Sequence, residues 1–236
     1  IGGCNGAGKT TLARELLPRL GLMRFLNADE IARGLSPLDP SLSAFKAGRL
    51  VLEEARSLIA SGSSFGLEST LSGKTYVAML REARARGFRV IVHYVMIGSA
   101  QQAVERVKLR VKMGGHHVPD EDVMRRFDRS IRHLLEDYLP LADEWGVWDN
   151  RIPPPREIAS NTSISLPDLV DLLRATKLME KNPAIPNDTT AIVLEAGRVA
   201  TEKMLDYYRR MDIRVTPEMT LAPEPIKRAR KTKSEA

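Results

Sequence analysis

The sequence has almost no cysteine, and this scarcity limits the class of protein it can encode. Cys4 carries the one thiol among 236 residues, so the internal disulfides that stabilise small secreted domains are excluded. No apolar run reaches the roughly 18 residues that a membrane span requires. We therefore expect a cytoplasmic protein with no membrane partner, in which Cys4 acts as a small side chain rather than as a redox group.

The chain also has little net positive charge outside the C-terminal end. The formal net charge is +6, but residues 227–236 hold five Lys or Arg and one Glu and therefore account for +4. A nearly neutral body argues against a broad surface that follows a phosphate backbone, so nucleic acid is not the partner we expect. The basic tail is typical of a solvated, disordered chain end.

A glycine-rich phosphate-binding motif stands at the start of the chain. Residues 3–10 match G-x-x-x-x-G-K-[ST], and the amphipathic pattern of a helix follows from Thr11 to Leu20. Backbone N–H groups of such a loop surround phosphate oxygens, Lys9 reaches the outer phosphates and the Thr10 hydroxyl binds Mg²⁺. The alternative is a chance glycine-rich turn. ATP and Mg²⁺ are the predicted cofactors, and the residues expected to bind the nucleotide are Asn5, Gly6, Ala7, Gly8, Lys9, Thr10 and Thr11.

Strand and helix patterns alternate after this loop. The β-branched run Phe88–Ile97 predicts a strand that is buried on both faces, and shorter strands are predicted at 23–26 and 64–68. Helices between such strands favour right-handed crossovers and a mostly parallel sheet, so we predict an α/β fold, a three-layer sandwich of the P-loop NTPase type. Only Ile1 and Gly2 precede the loop, so we expect most of a first strand to be missing. The remaining predicted elements are helices at 42–60, 75–86, 99–113, 120–138 and 166–178 and strands at 145–150 and 156–160.

The domain organisation follows from the same patterns. We expect a P-loop domain at 1–178, a Pro- and Asn-containing linker at 179–188, a helical extension at 189–226 and a disordered basic tail at 227–236.

Two carboxylates stand where predicted strands end, which is the edge where ligands bind in parallel sheets. Asp29 could accept the proton of a substrate hydroxyl that attacks the γ-phosphate, or it could cap the helical turn at 30–33. Glu68 could bind substrate hydroxyls or solvate its strand end. The two alternatives for each residue stay open at this point.

Absent motifs narrow the reaction class. The strand that ends at Ile97 is followed by Gly98 and Ser99 rather than by the acidic residue that holds metal in many motor ATPases, and no Asn-Lys-x-Asp motif for guanine is present. Motor and GTPase functions are therefore disfavoured, which leaves a kinase of small molecules.

Arginines are expected to neutralise the transferred phosphoryl group. Arg106 and Arg110 lie four residues apart on one face of a predicted helix. On the following helix Arg126 lies at the border of the apolar stripe, whereas Arg125 is expected to point to solvent. Arg110 and Arg126 would then hold the γ-phosphate, and a solvated basic face is the alternative. His116 and His117 are expected to be loop residues rather than metal ligands.

Several short motifs follow one another in a distinctive order along residues 1–160. They are Asn5-Gly6-Ala7-Gly8-Lys9-Thr10-Thr11, Asn27-Ala28-Asp29, Leu67-Glu68-Ser69-Thr70-Leu71-Ser72, Arg106-Val107-Lys108-Leu109-Arg110-Val111, Gly114-Gly115-His116 with Pro119, and Arg125-Arg126-Phe127 with Ser130. In this order they resemble the zeta toxin family of P-loop kinases. The resemblance implies ATP-dependent phosphorylation of a sugar hydroxyl of UDP-N-acetylglucosamine, and it makes a protein antitoxin a candidate partner.

The resemblance also implies a role for each matching residue. Asp29 is the base and also contacts the substrate with Glu68 and Thr70; Lys9 and Thr10 bind phosphate and Mg²⁺; Arg110 and Arg126 bind the γ-phosphate. The chain departs from the family at residues 149–151, which read Asp-Asn-Arg where members often have Asp-Asn-Ser. Two other hypotheses are a P-loop kinase of a different small hydroxyl compound and a nucleotide-dependent binding or switch protein.

Overall fold

The computed structural model describes residues 1–115 and 117–175 of the chain, in which helices alternate with strands. The helices are α1 (Lys9–Arg19), α2 (Ala28–Leu35), α3 (Ala44–Ala60), α4 (Val77–Ala85), α5 (Ala100–Lys112), α6 (Asp120–His133) and α7 (Leu166–Ala175). The strands are β1 (Phe25–Leu26), β2 (Gly66–Leu67), β3 (Ile91–Met96), β4 (Glu144–Asp149) and β5 (Arg156–Ser160).

Backbone hydrogen bonds of Ile1 and Gly2 join the two groups of strands. β1 pairs with β2, β3 pairs with β4, both in parallel, and β5 pairs antiparallel to β4. Gly2 forms parallel bridges to Ser69, just after β2, and to Tyr94 in β3. The order across the strands is therefore β1, β2, residues 1–2, β3, β4 and β5. The predicted α/β fold with a mostly parallel sheet is confirmed.

The parallel arrangement places the site at one edge of the strands. Residues 1–2, β1, β2, β3 and β4 run in the same direction, so the segments that follow them emerge together. Those segments are the glycine-rich loop, the start of α2, the loop after β2, the start of α5 and the turn after β4.

Two helices cover the short strands with apolar side chains. Val51 and Ala55 of α3 are fully buried, and Met79 and Ala83 of α4 pack in the same cluster as Leu26 of β1. Burial of such side chains supplies the main favourable free energy of folding. The short strands β1 and β2 are thereby held in place.

The apolar pattern of a strand extends beyond its hydrogen-bonded part. The predicted strand at 88–97 is confirmed as β3, but its ladder spans only Ile91–Met96. Phe88 lies before the strand and packs against the cluster around α3 and α4, which explains why an apolar residue stands there. Burial and strand pairing are therefore separate causes of the same sequence pattern.

The helix predicted at 120–138 differs from the structure at its C-terminal end. It begins at Asp120, and Pro119 occupies the capping position. The α-helix ends at His133, and a π-helical turn (Leu134–Tyr138) and a 3₁₀ turn (Leu139–Leu141) follow. Pro140 lies in the 3₁₀ turn and lacks the N–H that an α-helix continued to this residue would require.

Several predictions lie outside the described residues. These are His116, residues 176–178 of the last predicted kinase-domain helix, the linker at 179–188, the extension at 189–226 and the tail at 227–236. In the described part of the chain, every helix is too short or too polar to cross a membrane.

Candidate active site

The glycine-rich loop has the backbone conformation that phosphate binding requires. Gly3, Gly6 and Gly8 have φ angles of 144°, 75° and 92°, a region that side chains other than glycine rarely adopt. Gly8 is the N-cap of α1, so the helix begins at Lys9 with its free N–H groups directed at the loop. A phosphate group fits this cradle.

The turn after β4 holds the loop from the other side. The side-chain amide of Asn150 donates a hydrogen bond to the carbonyl oxygen of Ala7 at 2.7 Å, and Asn150 is 5% exposed. A β-carbon at Gly8 would collide with the same amide nitrogen. Arg106 stabilises the turn after β4, because its guanidinium donates hydrogen bonds to the carbonyl oxygens of Asn150 at 2.7 Å and Arg151 at 3.0 Å.

Glu68 connects the loop after β2 with the phosphate-binding loop. Its Oε2 accepts hydrogen bonds from the Thr10 hydroxyl at 2.7 Å and from the Asn27 amide at 2.9 Å. Its Oε1 lies 3.7 Å from the Lys9 ammonium, which also donates to the carbonyl oxygen of Cys4 at 3.1 Å. The Lys9 and Glu68 side chains are each 9% exposed. Glu68 therefore orients both polar groups of the nucleotide motif.

Asp29 faces the same cavity from the first turn of α2. The cap of α2 is Asn27, whose Oδ1 accepts from the backbone N–H of Asp29 at 2.8 Å and of Glu30 at 3.3 Å. The alternative in which Asp29 caps the helix is therefore wrong, since the chain already enters the helix at Ala28. Among the described residues the Asp29 carboxylate has no hydrogen-bond or ion-pair partner, and it is exposed to the cavity.

Arginines line the cavity from two helices. Arg106 and Arg110 come from α5, and Arg126 comes from α6. Arg126 is 34% exposed and lies 3.5 Å from Asp122, a longer pairing than the 2.6 Å between Arg125 and the same carboxylate. Arg106 and Arg110 share a face as predicted, but the guanidinium of Arg106 is bound to the turn after β4.

A cavity of about 530 Å³ brings nearly all the predicted site residues together. Ala7 is the exception, because it is fully buried behind the loop. His117 also lines the cavity. The predicted site residues that line it are Asn5, Gly6, Gly8, Lys9, Thr10, Thr11, Asp29, Glu68, Thr70, Arg110 and Arg126.

Hydrogen bonds from α6 and from the π-helical turn that follows it fix the loop after β2. The Ser130 hydroxyl donates to the carbonyl oxygen of Thr70 and also contacts the buried phenol of Tyr94. The Tyr138 hydroxyl donates to the carbonyl oxygen of Gly73 at 2.5 Å. Leu71 has a φ of 51°, which is unusual for a branched residue, so the loop depends on these contacts to keep its conformation.

Cys4 is buried inside the loop. Burial raises the pKa of its thiol to about 12, and the nearby ammonium of Lys9 opposes this only in part. The thiolate is the reactive form of cysteine, so the raised pKa is consistent with the structural role expected from the sequence.

Among the described residues, no cluster of three or more His, Cys, Asp or Glu side chains is placed to hold a metal ion. The Thr10 hydroxyl and the Glu68 carboxylate are nevertheless hard oxygen ligands of the kind Mg²⁺ binds, and they stand side by side at the phosphate loop. Because Thr10 donates its proton to Glu68, its oxygen lone pairs remain available.

A family model for an AAA domain matches residues 1–133, which is more than half of the chain. The chain belongs to the AAA domain family. An uncharacterised protein from Haemophilus influenzae is 32% identical over 125 residues, which are 53% of this chain and 88% of that protein. The residues matched by the family model include the phosphate loop, both strand-end carboxylates and the three arginines of the cavity.

Solved structures share the fold of this AAA domain protein. A structure from the PezAT chromosomal toxin-antitoxin system of Streptococcus pneumoniae has a TM-score of 0.51 and 16% identity, covering 70% of this chain and 71% of that one. The complex AvrRxo1-ORF1:-ORF2 with ATP has a TM-score of 0.55 and 16% identity, and the match covers 89% of this chain and 69% of that one. At this identity the likeness shows the fold alone.

Sequence reasoning missed two asparagines of the site. Asn27 was part of a recognised motif, yet the hydrogen bond that its side-chain amide donates to Glu68 joins residues 41 positions apart. Asn150 lies 143 positions from Ala7, and the end of a strand beside the phosphate loop was the signal that could have drawn attention to it.

Proposed function

We propose that this protein is an ATP-dependent kinase of the zeta-toxin type, which transfers the γ-phosphate to a hydroxyl of a sugar nucleotide such as UDP-N-acetylglucosamine. The observation that carries the proposal is the unpartnered carboxylate of Asp29 in the cavity that also contains Lys9, Arg110 and Arg126. A free carboxylate near a phosphate cradle is what proton abstraction from an acceptor hydroxyl requires.

The nucleotide is assigned to the glycine-rich loop. ATP phosphates would accept hydrogen bonds from the backbone N–H groups of residues 5–11 and from Lys9, whose ammonium would exchange part of its pairing with Glu68 for a phosphate. Arg110 and Arg126 would hold the transferred phosphoryl group from the opposite wall of the cavity.

The reaction is an in-line displacement. The acceptor oxygen forms a bond to the γ-phosphorus while the bond from that phosphorus to the β–γ bridging oxygen breaks. The hydroxyl proton moves to the Asp29 carboxylate, and ADP leaves with the bridging oxygen. Thr70 and Glu68 would orient the acceptor at the carboxyl edge of β2.

Thr10 and Glu68 are the residues that would hold Mg²⁺. The ion neutralises phosphate charge when bound. The contribution of the chain is to present the Thr10 oxygen with its proton already directed at Glu68.

The sugar nucleotide as substrate and the protein antitoxin as partner are both proposed because the motifs resemble those of zeta toxins. The cytoplasmic location stays a prediction from composition. A kinase for another small hydroxyl compound is the second outcome of the same substrate screen.

The test is ADP release by the purified protein across UDP-sugars and free sugars, with wild type, Asp29→Asn and Glu30→Gln. Glu30 is the neighbouring acid and pairs with Arg14 and Arg33 outside the cavity, so it serves as the matched control. We expect Asp29→Asn to lose about 10²–10⁴-fold in kcat with ATP affinity unchanged, and Glu30→Gln to retain wild-type turnover. Normal turnover in Asp29→Asn would overturn the base assignment, and turnover with free sugars alone would overturn the substrate class.

A further inference from the structure

A cluster of charged side chains joins the loop after β2 (residues 68–76) to the segment that follows α6. Oδ1 of Asp137 lies 2.9 Å from the ammonium of Lys74 in that loop, and its Oδ2 accepts a hydrogen bond of 2.8 Å from Nδ1 of His133. Burial of Asp137 favours the neutral acid, but the hydrogen bonds from Lys74 and His133 hold the pKa of its carboxyl below the usual value. The carboxylate is therefore ionised at neutral pH and binds both partners.

The π-helical turn at Leu134–Tyr138 directs this segment toward the loop. In a regular α-helix two side chains eight positions apart are separated by about 80° around the axis, so Ser130 and Tyr138 would point in different directions. A π-turn contains more residues, so each residue turns less, and Tyr138 returns to the face of Ser130. Their hydroxyls donate to carbonyl oxygens of the same loop, at Thr70 and Gly73. Such turns are rare and occur frequently at functional sites.

The loop that these contacts hold forms part of the wall of the 530 Å³ cavity. Ser69 and Thr70 line that cavity, and the chain then bends away through Leu71, whose φ is 51°. Lys74 and its partner Asp137 lie after this bend and outside the cavity. The charged cluster therefore holds the loop without touching the reactants.

The ion pair matters for geometry more than for stability. The Lys74 side chain is 60% exposed, and exposed ion pairs contribute little to the free energy of unfolding. However, α6 continues directly into the π-helical turn, so Arg126 and Asp137 belong to one continuous helical segment. The position of Thr70 relative to Arg126 therefore depends on how the loop is attached to this segment.

We propose that Asp137 is a positioning residue of the kinase: its ion pair with Lys74 and its hydrogen bond with His133 hold the loop after β2 so that Thr70 presents the acceptor hydroxyl to the transferred phosphoryl group. This inference rests on the proposed function, in which Thr70 orients the acceptor and Arg126 binds the phosphoryl group. A hydroxyl displaced from the line of attack reacts slowly even when ATP is bound normally. The cluster therefore acts on the transfer step and leaves nucleotide binding to the phosphate loop.

The test removes the ion pair from either side, with Asp137→Asn, Lys74→Gln and the double variant, while Lys74→Arg keeps the charge. The matched control is Arg84→Gln, because Arg84 and Asp143 form an ion pair of the same length, 2.9 Å, outside the cavity. We expect the first three variants to lower kcat with UDP-N-acetylglucosamine about fivefold, with the KM for ATP unchanged. The losses should not add in the double variant, because all three lack the same contact. Lys74→Arg and Arg84→Gln should match wild type.

Hydrogen exchange of the backbone amides of residues 68–76, measured without substrate, separates this inference from the kinase function. We expect faster exchange of the loop in Asp137→Asn and Lys74→Gln and wild-type exchange in Arg84→Gln. If that pattern appeared while the wild type transferred no phosphate, the kinase function would be overturned and the attachment of the loop by Asp137 would stand. Unchanged loop exchange, a rise in the KM for ATP that accompanies the fall in kcat, additive losses in the double variant, or an equal loss in Lys74→Arg or Arg84→Gln would overturn the positioning role.

Discussion

The side-chain amide of Asn150 donates a hydrogen bond to the carbonyl oxygen of Ala7 at 2.7 Å, across 143 positions of sequence. This contact ties the turn after β4 to the centre of the phosphate loop. Both partners are buried, Ala7 completely and Asn150 at 5% exposure. The conformation of the loop thus depends on a residue far outside the motif that defines it.

Replacing Asn150 by alanine should weaken nucleotide binding. The buried carbonyl of Ala7 would lose its partner, which costs about 1–3 kcal/mol, and we expect the Kd for ATP to rise about tenfold. Titration calorimetry measures the change. The matched control is Asn161→Ala, which removes hydrogen bonds to Trp145 and Asp143 at the other end of the sheet. If both variants bound ATP equally well, the support of the loop by Asn150 would be refuted.

Replacing Arg126 by glutamine should lower kcat while leaving the KM for ATP nearly unchanged. Its guanidinium lines the cavity and lies 3.5 Å from Asp122, so it can stabilise charge on the transferred group. Loss of one such donor costs about 10²–10³-fold in kcat. Steady-state kinetics checks the split, with Arg132→Gln as the control. A parallel rise in the KM for ATP with unchanged kcat would contradict this role.

Stability should fall in alkaline solution because buried acids stay protonated in the folded state. Burial raises the pKa of Cys4 from 9.0 to about 12 and that of Tyr138 to about 12, and it also raises the pKa of Tyr94. Above pH 9 the unfolded chain releases the thiol proton while the folded chain retains it. These groups therefore do not lower the free energy of unfolding below pH 9, and they lower it progressively between pH 9 and 12.

Urea unfolding at pH 8 and pH 10 measures this loss. Titration of Cys4 lowers the free energy of unfolding by about 1 kcal/mol at pH 10. Cys4→Ala should remove this part of the difference in free energy of unfolding between the two pH values. Cys4→Ala is compared with wild type at each pH, so any loss of packing cancels. An unchanged difference would show that the Cys4 thiol is not the group that titrates.

The sequence predicts the parts of the site that depend on local patterns. The phosphate loop, the carboxylates at the strand ends and the placement of Arg126 follow from motif spacing, strand direction and helix periodicity. The supporting contacts do not, because Asn27 to Glu68 and Asn150 to Ala7 join residues that are 41 and 143 positions apart. Arg125 shows the limit of a face-based argument. It is exposed as predicted, yet it lines a smaller cavity of about 370 Å³ together with residues of the loop after β2.

The position of Gly2 between two strands has a consequence for folding kinetics. Ile1 and Gly2 exchange backbone hydrogen bonds with Leu67, Ser69, His93 and Val95, so long loops must close before the phosphate loop is held on both sides. Contacts of such large sequence separation form slowly and late in folding. A ligand that needs this site can then bind only the nearly complete fold, so ATP should slow unfolding without accelerating refolding.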